Sequence, residues 1–448
     1  MVIERSSIDE EIPVLRSTLI EATKLYLIFF FLYVILYSIV DAYLTVFYKQ
    51  ITSNLFADFG IGNPEWYLIL TFASLGTFTV LAVQFLADIL GRKPAIIISF
   101  LGMALSSVLM ALAQDVFQFT IAFFFAFMFM SSDIWVIMVG EEVPKDKRAS
   151  YILLIAIFSV LGAFIVPIAR FFLIKPPTID AGSWRLVAGI LIVGIPLALL
   201  GLGLKETYAF RTRRKKLERW TKEHIFRTFF KPFTGEHRLK IFVFSLIGFS
   251  LGTTSTVRSN LENYMYTHAL IFEEEIIAYM IISTIILIAN FVLMFSFVLT
   301  GIISDKFGRK PLFYAYSVLQ LVSVSLIVLI AELGLLPIGN YIIITILIFL
   351  LWGAYWGLFQ LTRVHCVECF PTEIRATSAG WRAFGFAAGL TIGGLISAAL
   401  APVLPTGIIY LVDVFTFTPI LLLLVWKVLP ETKNIVITET EADGQTMA

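Results

Sequence analysis

Cysteine is almost missing, with two in 448 residues. Two thiols cannot build a disulfide framework, so nothing ties the chain to an oxidising compartment. Histidine is scarce too, at four. His224, His237 and His268 fall in loops or at the ends of apolar runs, where solvated roles suit them. Charge is thin: Asp, Glu, Lys and Arg make up 15%, with a formal net charge of +1. That balance offers no electrostatic footprint for nucleic acid. No G-x-x-x-x-G-K-[ST] loop occurs, so ATP is not the direct energy source. What fills the chain is apolar: 59% hydrophobic residues and a mean hydropathy of +0.90. A soluble domain cannot hide so much apolar surface, which makes this an integral membrane protein.

The apolar residues come as twelve runs, over 24–48, 66–87, 95–114, 116–141, 150–173, 184–204, 240–267, 275–303, 311–331, 338–367, 376–401 and 405–429. Each approaches or exceeds the roughly 20 residues a helix needs to cross the hydrocarbon core. Unbroken apolar runs are not the alternating pattern of membrane strands, so a barrel is excluded. The charged stretch before Lys24 lacks the layout of a cleavable signal, and the run after it is too long for a signal core.

Basic residues set the expected orientation. With both termini cytoplasmic, only Lys49, Arg170, Lys175 and Arg185 fall on the far side, and Arg258, Arg363 and Arg382 lie within runs. The other 26 of the 33 Lys and Arg are then cytoplasmic. The asymmetry survives removal of the long central loop.

The chain repeats itself. D-x-x-G-R-K-P occurs at Asp88–Pro94 and again at Asp305–Pro311. E-x-x-P-x-x-x-R-A occurs at Glu141–Ala149 and at Glu368–Ala376. Leu204-Lys205-Glu206-Thr207 closes the sixth run, as Leu429-Pro430-Glu431-Thr432 closes the twelfth. Three matched pairs at similar offsets mean a duplicated half. The expected architecture is an all-α membrane protein of twelve transmembrane helices, in two pseudo-symmetric six-helix bundles over 24–204 and 240–430. A cytoplasmic segment 1–23, a linker 205–239 and a tail 431–448 complete the chain. In the loop motif, Gly permits a tight turn and Pro suits a first helical turn. The charges at this rim (Asp88, Arg92, Glu141, Arg148, Asp305, Arg309, Glu368 and Arg375, with Gly91 and Gly308) are candidates for a cytoplasmic gate that bridges the halves when that side is shut.

These loops, the E-x-x-P-x-x-x-R junctions and the closing Pro430-Glu431-Thr432-Lys433 resemble the major facilitator superfamily. Within it, the chain looks most like the sugar porters and related metabolite–proton symporters. Two departures weigh against a hexose. The seventh run reads S-L-G-T-T-S-T-V-R-S-N-L-E-N, without the Gln pair of sugar porters, and Arg363 stands where they carry Trp. The resemblance implies a transporter, not an enzyme, with no cofactor, whose helices 1 and 7 line a central cavity.

An ionisable group inside a membrane span is costly and therefore a functional candidate. Asp41 in the first run and Arg258 in the seventh sit at matching depths of repeat-related helices. Asp133 in the fourth and Gln360 in the tenth form a second such pair. Asp41 and Asp133 are the proton-coupling candidates, Asp41 also by its resemblance to the coupling Asp of proton symporters. Arg258 either restrains Asp41 or binds an anionic solute. Asn260, Asn290, Tyr355 and Trp356 are further solute-binding candidates. Arg363 and Arg382 are expected to snorkel to the interface.

Other patterns carry less. Gly248-Phe249-Ser250-Leu251-Gly252 matches a nucleophile elbow, which needs a strand-to-helix turn that a membrane helix does not supply. His365-Cys366-Val367-Glu368-Cys369 lacks a second cysteine pair for a metal. Gly385, Gly389 and Gly393 are spaced for close helix packing. Arg211–Lys222 suits an amphipathic helix on anionic headgroups. The expected function is a secondary transporter of a small polar solute, a sugar or an organic acid. It would work by alternating access with proton symport, as a monomer in the plasma membrane. Proton-coupled efflux, a channel or a membrane-embedded enzyme are the alternatives.

Overall fold

The computed structural model describes residues 24–79, 91–130, 134–143, 148–207, 233, 237–271, 273–333, 341–370 and 372–432, and every element among them is helical. In a bilayer the backbone must satisfy its own hydrogen bonds, and a long apolar run does so as a helix. The N-terminal segment, most of the linker with Arg211–Lys222, and the tail beyond Thr432 lie outside the described residues.

The first half comprises α1 (Lys24–Phe47), α2 (Thr52–Phe59), α3 (Asn63–Ser74), α4 (Arg92–Leu112), α5 (Val116–Phe129), α6 (Ile134–Glu142), α7 (Arg148–Leu173) and α8 (Pro177–Gly203). A 3-10 turn, Tyr48–Gln50, extends α1, another, Leu75–Phe78, extends α3, and α8 alternates α and 3-10 turns. The second half comprises α9 (Arg238–Arg258), α10 (Leu261–Ala269), α11 (Glu275–Phe307), α12 (Arg309–Glu332), α13 (Tyr341–Cys369), α14 (Thr372–Leu400) and α15 (Thr406–Val428). Among the described residues, ten helical stretches are long and apolar enough to cross a membrane. The start of α11, Glu275–Asn290, is a shorter apolar stretch, and the span begun by α3 runs into residues 80–90, outside the described set. These are the twelve spans of two six-helix bundles.

Several spans differ from the sequence expectation, the sixth by starting at Pro177 rather than 184. The second starts at Asn63, not 66. The fourth ends its first piece at Phe129, where Met130 is extended, and resumes as α6. The seventh is divided between Arg258 and Leu261.

The two halves use one packing plan. α1 lies along α7 in the first half, and α9 along α14 in the second. These are the first and fifth helices of each repeat. Between halves, α7 meets α11 and α3 meets α14, again repeat-related pairs. The glycine ladder explains the α9–α14 seam. A Cβ on Gly385, Gly389 or Gly393 would come within 2.2, 2.0 and 2.8 Å of Ser245, Phe249 and Thr253 backbone atoms. Gly248 and Gly252 face the other way, and a Cβ on either would meet an α14 carbonyl oxygen at 2.3 Å. The nucleophile-elbow pattern is therefore a packing seam between two helices that approach backbone to backbone.

Candidate functional site

Among the ten long apolar stretches of the described residues, the seventh span is the most enclosed. About 71% of its apolar window is buried, against 33% for the first and last spans. Its sequence T-T-S-T-V-R-S-N is rich in groups that bond backwards. The Thr253 and Thr254 hydroxyls both donate to the Ser250 carbonyl at 2.9 Å, and Ser259 donates to the Thr256 carbonyl at 2.5 Å. Such bonds compete with the helical ladder, and α9 stops at Arg258.

That break presents charge to the middle of the molecule. Arg258 is 9% exposed, its guanidinium carbon 3.5 Å from the centroid of the Tyr355 ring on α13. Its Nε and Nη1 have no hydrogen-bond partner among the described residues. Lys49 arrives from the first half, on the turn after α1. Its Nζ donates to Ser255 Oγ at 3.0 Å and lies 5.9 Å from the Trp356 ring centroid. Trp356 also packs against Val46 and Ala163 of the first half. One cation from each half thus flanks the group Ser255, Tyr355 and Trp356. The orientation count placed Lys49 on the far side, just past the first run. The structure places it within the span Leu25–Gln50.

On the other side of Arg258 lies a cavity with room for about one water molecule. Thr254, Arg258, Val324, Ile327, Tyr410 and Asp413 line it. Asp413, on α15, is 7% exposed, and its Oδ2 has no hydrogen-bond partner among the described residues. Sequence reasoning passed over Asp413, although a carboxylate inside the run 405–429 carried the same signal as Asp41.

The remaining candidates fall as follows. Asp41 is half-buried on α1 and forms no ion pair with Arg258, which instead faces Tyr355 and shares a cavity with Asp413. Asp133 and Asp88 lie outside the described residues. Asn260 donates to Asn63 Oδ1 at 2.6 Å, across to α3. Asn290 is fully buried and donates within its own helix, to the Ile286 carbonyl. Gln360 is half-buried on α13, one turn beyond Trp356. Arg258, Tyr355 and Trp356 therefore meet, while the two asparagines are turned elsewhere. Arg382 does not snorkel: it is 3% exposed and sits over the Phe359 ring at 5.6 Å, because α14 buries that face against its neighbours.

A second polar centre joins the halves at the end of the bundles remote from the G-R-K-P loops. Arg170 of α7 and Glu262 of α10 form a 2.7 Å ion pair with side chains 0% and 1% exposed. Glu262 also accepts from Thr52 Oγ1 at 2.8 Å, Ser53 N at 2.9 Å and Ser53 Oγ at 2.8 Å. Arg170 donates to Ser283 Oγ and to the Gln50 carbonyl, and stacks on Tyr279 at 4.7 Å. Arg170 was counted only as a far-side charge at the end of the fifth run, and Glu262 drew no attention. Both are buried between bundles. Trp66 Nε1 adds a bond to Ser259 Oγ at 3.2 Å across the same seam.

At the loop end, the G-R-K-P loop and the closing glutamate form one construction, built twice. Gly91 and Gly308 take φ of 115° and 103°, a region that favours glycine. The next two backbone N–H groups are held by the closing glutamate. Arg92 N and Lys93 N donate to Glu206, at 2.9 and 3.2 Å. Arg309 N and Lys310 N donate to Glu431, at 2.8 and 2.9 Å. Each carboxylate thus caps a helix N-terminus. Lys93 Nζ and Lys310 Nζ complete the match on the Leu202 and Trp426 carbonyls. In the second half Arg309 also binds both oxygens of Glu368, at 3.1 and 2.8 Å, and pairs with Asp305 at 3.0 Å. These bonds of Arg309 all stay within its own half. The side chains of Glu141, Arg148 and Arg375 lie outside the described residues.

Residues 25–368 match the family described as Major Facilitator Superfamily. The chain belongs to that superfamily. It is a membrane transporter, not an enzyme. Its fold is similar to that of the xylose transporter XylE from E. coli in a partially occluded inward-open conformation, at TM-score 0.71 and 16% identity over 92% of this chain and 99% of that one. It is also similar to a POT family transporter in complex with 5-aminolevulinic acid, at TM-score 0.66 and 13% identity over 88% and 95%. A point mutant of the nucleoside transporter NupG matches at TM-score 0.67 and 12% identity over 88% and 98%. At these identities the superfamily fold is what is shared. A comparison with curated protein sequences finds no match.

Proposed function

We propose that this transporter moves a small polar organic solute by alternating access between its bundles, in symport with protons, and that the solute is an organic acid before it is a sugar. The observation that carries this is the pair of cations, Lys49 and Arg258, brought from opposite halves to one Ser255–Tyr355–Trp356 group. Two cations this close in an enclosed site repel, and Arg258 has two unmet donors. A carboxylate answers both needs, and its contact with both halves lets solute binding favour closure around it. The aromatic faces of Tyr355 and Trp356 suit an organic body.

In this reading Asp41 and Asp133 carry protons. The rim residues Asp88, Gly91, Arg92, Glu141, Arg148, Asp305, Gly308, Arg309, Glu368 and Arg375 form the cytoplasmic gate. Both termini are cytoplasmic in the plasma membrane, as the Lys and Arg asymmetry argues, and the working unit is a monomer. The test is uptake of a panel of sugars and carboxylates into proteoliposomes at two pH values. Carboxylate uptake rises with an inward proton gradient. Arg258→Gln and Lys49→Gln each lower it by about tenfold or more, as expected for losing a charge-assisted hydrogen bond of about 1.5–3 kcal/mol. Asp41→Asn abolishes uphill uptake and leaves solute exchange. Sugar uptake indifferent to both cation substitutions defeats the organic-acid assignment.

A further inference from the structure

Glu262 accepts four hydrogen bonds, two on each carboxylate oxygen, and all four come from the other half. Oε1 takes Arg170 Nη2 at 2.7 Å and Ser53 Oγ at 2.8 Å. Oε2 takes Thr52 Oγ1 at 2.8 Å and the Ser53 backbone N–H at 2.9 Å. The first half thus carries a finished cradle for one planar carboxylate. A guanidinium, two hydroxyls and a backbone N–H converge on it, and such charge-assisted bonds are the strong ones. Arg170 is also held from its own half, by the Gln50 carbonyl. When the bundles part at this end, Glu262 leaves with α10, and Ser283 and Tyr279 leave with α11. Arg170, Thr52 and Ser53 stay behind on α7 and α2. The cradle is then complete, without its carboxylate, and open to the far side.

Its place in the chain matters as much as its donors. Thr52 follows Lys49 by three residues, so their Cα atoms lie within about 11 Å. Gln50 sits between them, 0% exposed, with neither polar atom of its side chain hydrogen-bonded among the described residues. In the other half, Glu262 follows Arg258 by four residues.

We propose that this cradle is a second carboxylate-binding site, filled by Glu262 while the far side is shut and by a solute carboxylate when it is open. The two ligands exclude each other. Closure onto Glu262 therefore displaces the solute carboxylate, and Lys49 is the cation placed to receive it. The tethered glutamate wins once the halves meet, because its effective concentration is high. The landing role rests on the organic-acid reading; the binding site itself does not.

The experiment is chemical rescue of purified Glu262→Ala with sodium acetate, read by thermal unfolding in detergent. Acetate raises the Tm of Glu262→Ala saturably. It leaves the wild type unchanged, because there Glu262 fills the cradle. Sodium chloride at equal ionic strength gives no such rise. The rise is lost in Arg170→Gln/Glu262→Ala and kept in Lys49→Gln/Glu262→Ala, which separates the cradle from the group around Lys49. Glu262→Gln covers an alanine variant that fails to fold: its amide nitrogen cannot accept from the cradle, and acetate raises its Tm as well. No rise in either variant, an equal rise with chloride, or a rise lost when Lys49→Gln is added overturns the site. A rise in a transporter whose proteoliposomes take up sugars and no carboxylate leaves the cradle standing and sinks the organic-acid reading instead.

Discussion

Glu206 and Glu431 do the same work in two places. Each closes its half and holds two backbone N–H groups at the start of a helix that a positive-φ glycine has turned towards it. Neutralising one glutamate removes charge-assisted bonds of about 1.5–3 kcal/mol, part of which solvent recovers at this rim. Glu431→Gln is expected to lower stability by about 1–2 kcal/mol, read as a fall in Tm in detergent, and Glu206→Gln by a similar amount. The two effects should add in the double variant, since the sites share no partner. Gly308→Ala is worse than its size suggests, because a Cβ would meet Glu431 Oε2 at 2.8 Å and displace the cap itself. The repeat made these glutamates visible in the sequence. Their task was not, because D-x-x-G-R-K-P and the closing E-T are separated by 114 residues in one half and 122 in the other.

Among the helices, the α9–α14 seam shows how little side chain a membrane contact needs. Five glycines let two backbones touch, and the lost methyl groups are replaced by main-chain packing. Gly389→Val should destabilise the protein by about 3 kcal/mol, at the upper end for overpacking, since the first added atom meets the Phe249 carbonyl oxygen at 2.0 Å. Gly301→Ala, on α11 with nothing within 4 Å, should change stability by less than about 0.5 kcal/mol. Thermal unfolding of the two variants side by side checks the contrast. The glycine spacing was legible in advance. The division of the seventh span was not, because an unbroken apolar count cannot see hydroxyls turning back on their own carbonyls. That division matters, for Arg258 ends one piece and Glu262 opens the next. The solute-site cation and the inter-bundle carboxylate thus ride on consecutive turns.

For the whole molecule, Arg170–Glu262 is a fully buried ion pair that ties the halves. Desolvation makes a buried ion pair an uncertain source of net stability, but removing one partner leaves a lone buried charge and costs about 3–5 kcal/mol. Glu262→Gln or Arg170→Gln alone is therefore expected to part the bundles at that end, and the double variant to restore contact. Spin labels on Ile179 and Val403, exposed in opposite halves, read this as a longer distance in either single variant and a short one in the wild type and the double variant. Singles that keep the short distance refute it. By itself the sequence determined the membrane class, the twelve spans, the duplication and the superfamily, because hydropathy and repeated turn chemistry are local properties written at fixed spacing. Only the tertiary structure decided which charges face one another. Lys49 and Arg170 were counted only as far-side charges, Asp413 and Glu262 passed unnoticed, and Asp41 does not meet Arg258. Partnership in a bundle depends on helix rotation and on where a helix breaks, and apolar periodicity in a uniformly greasy chain fixes neither.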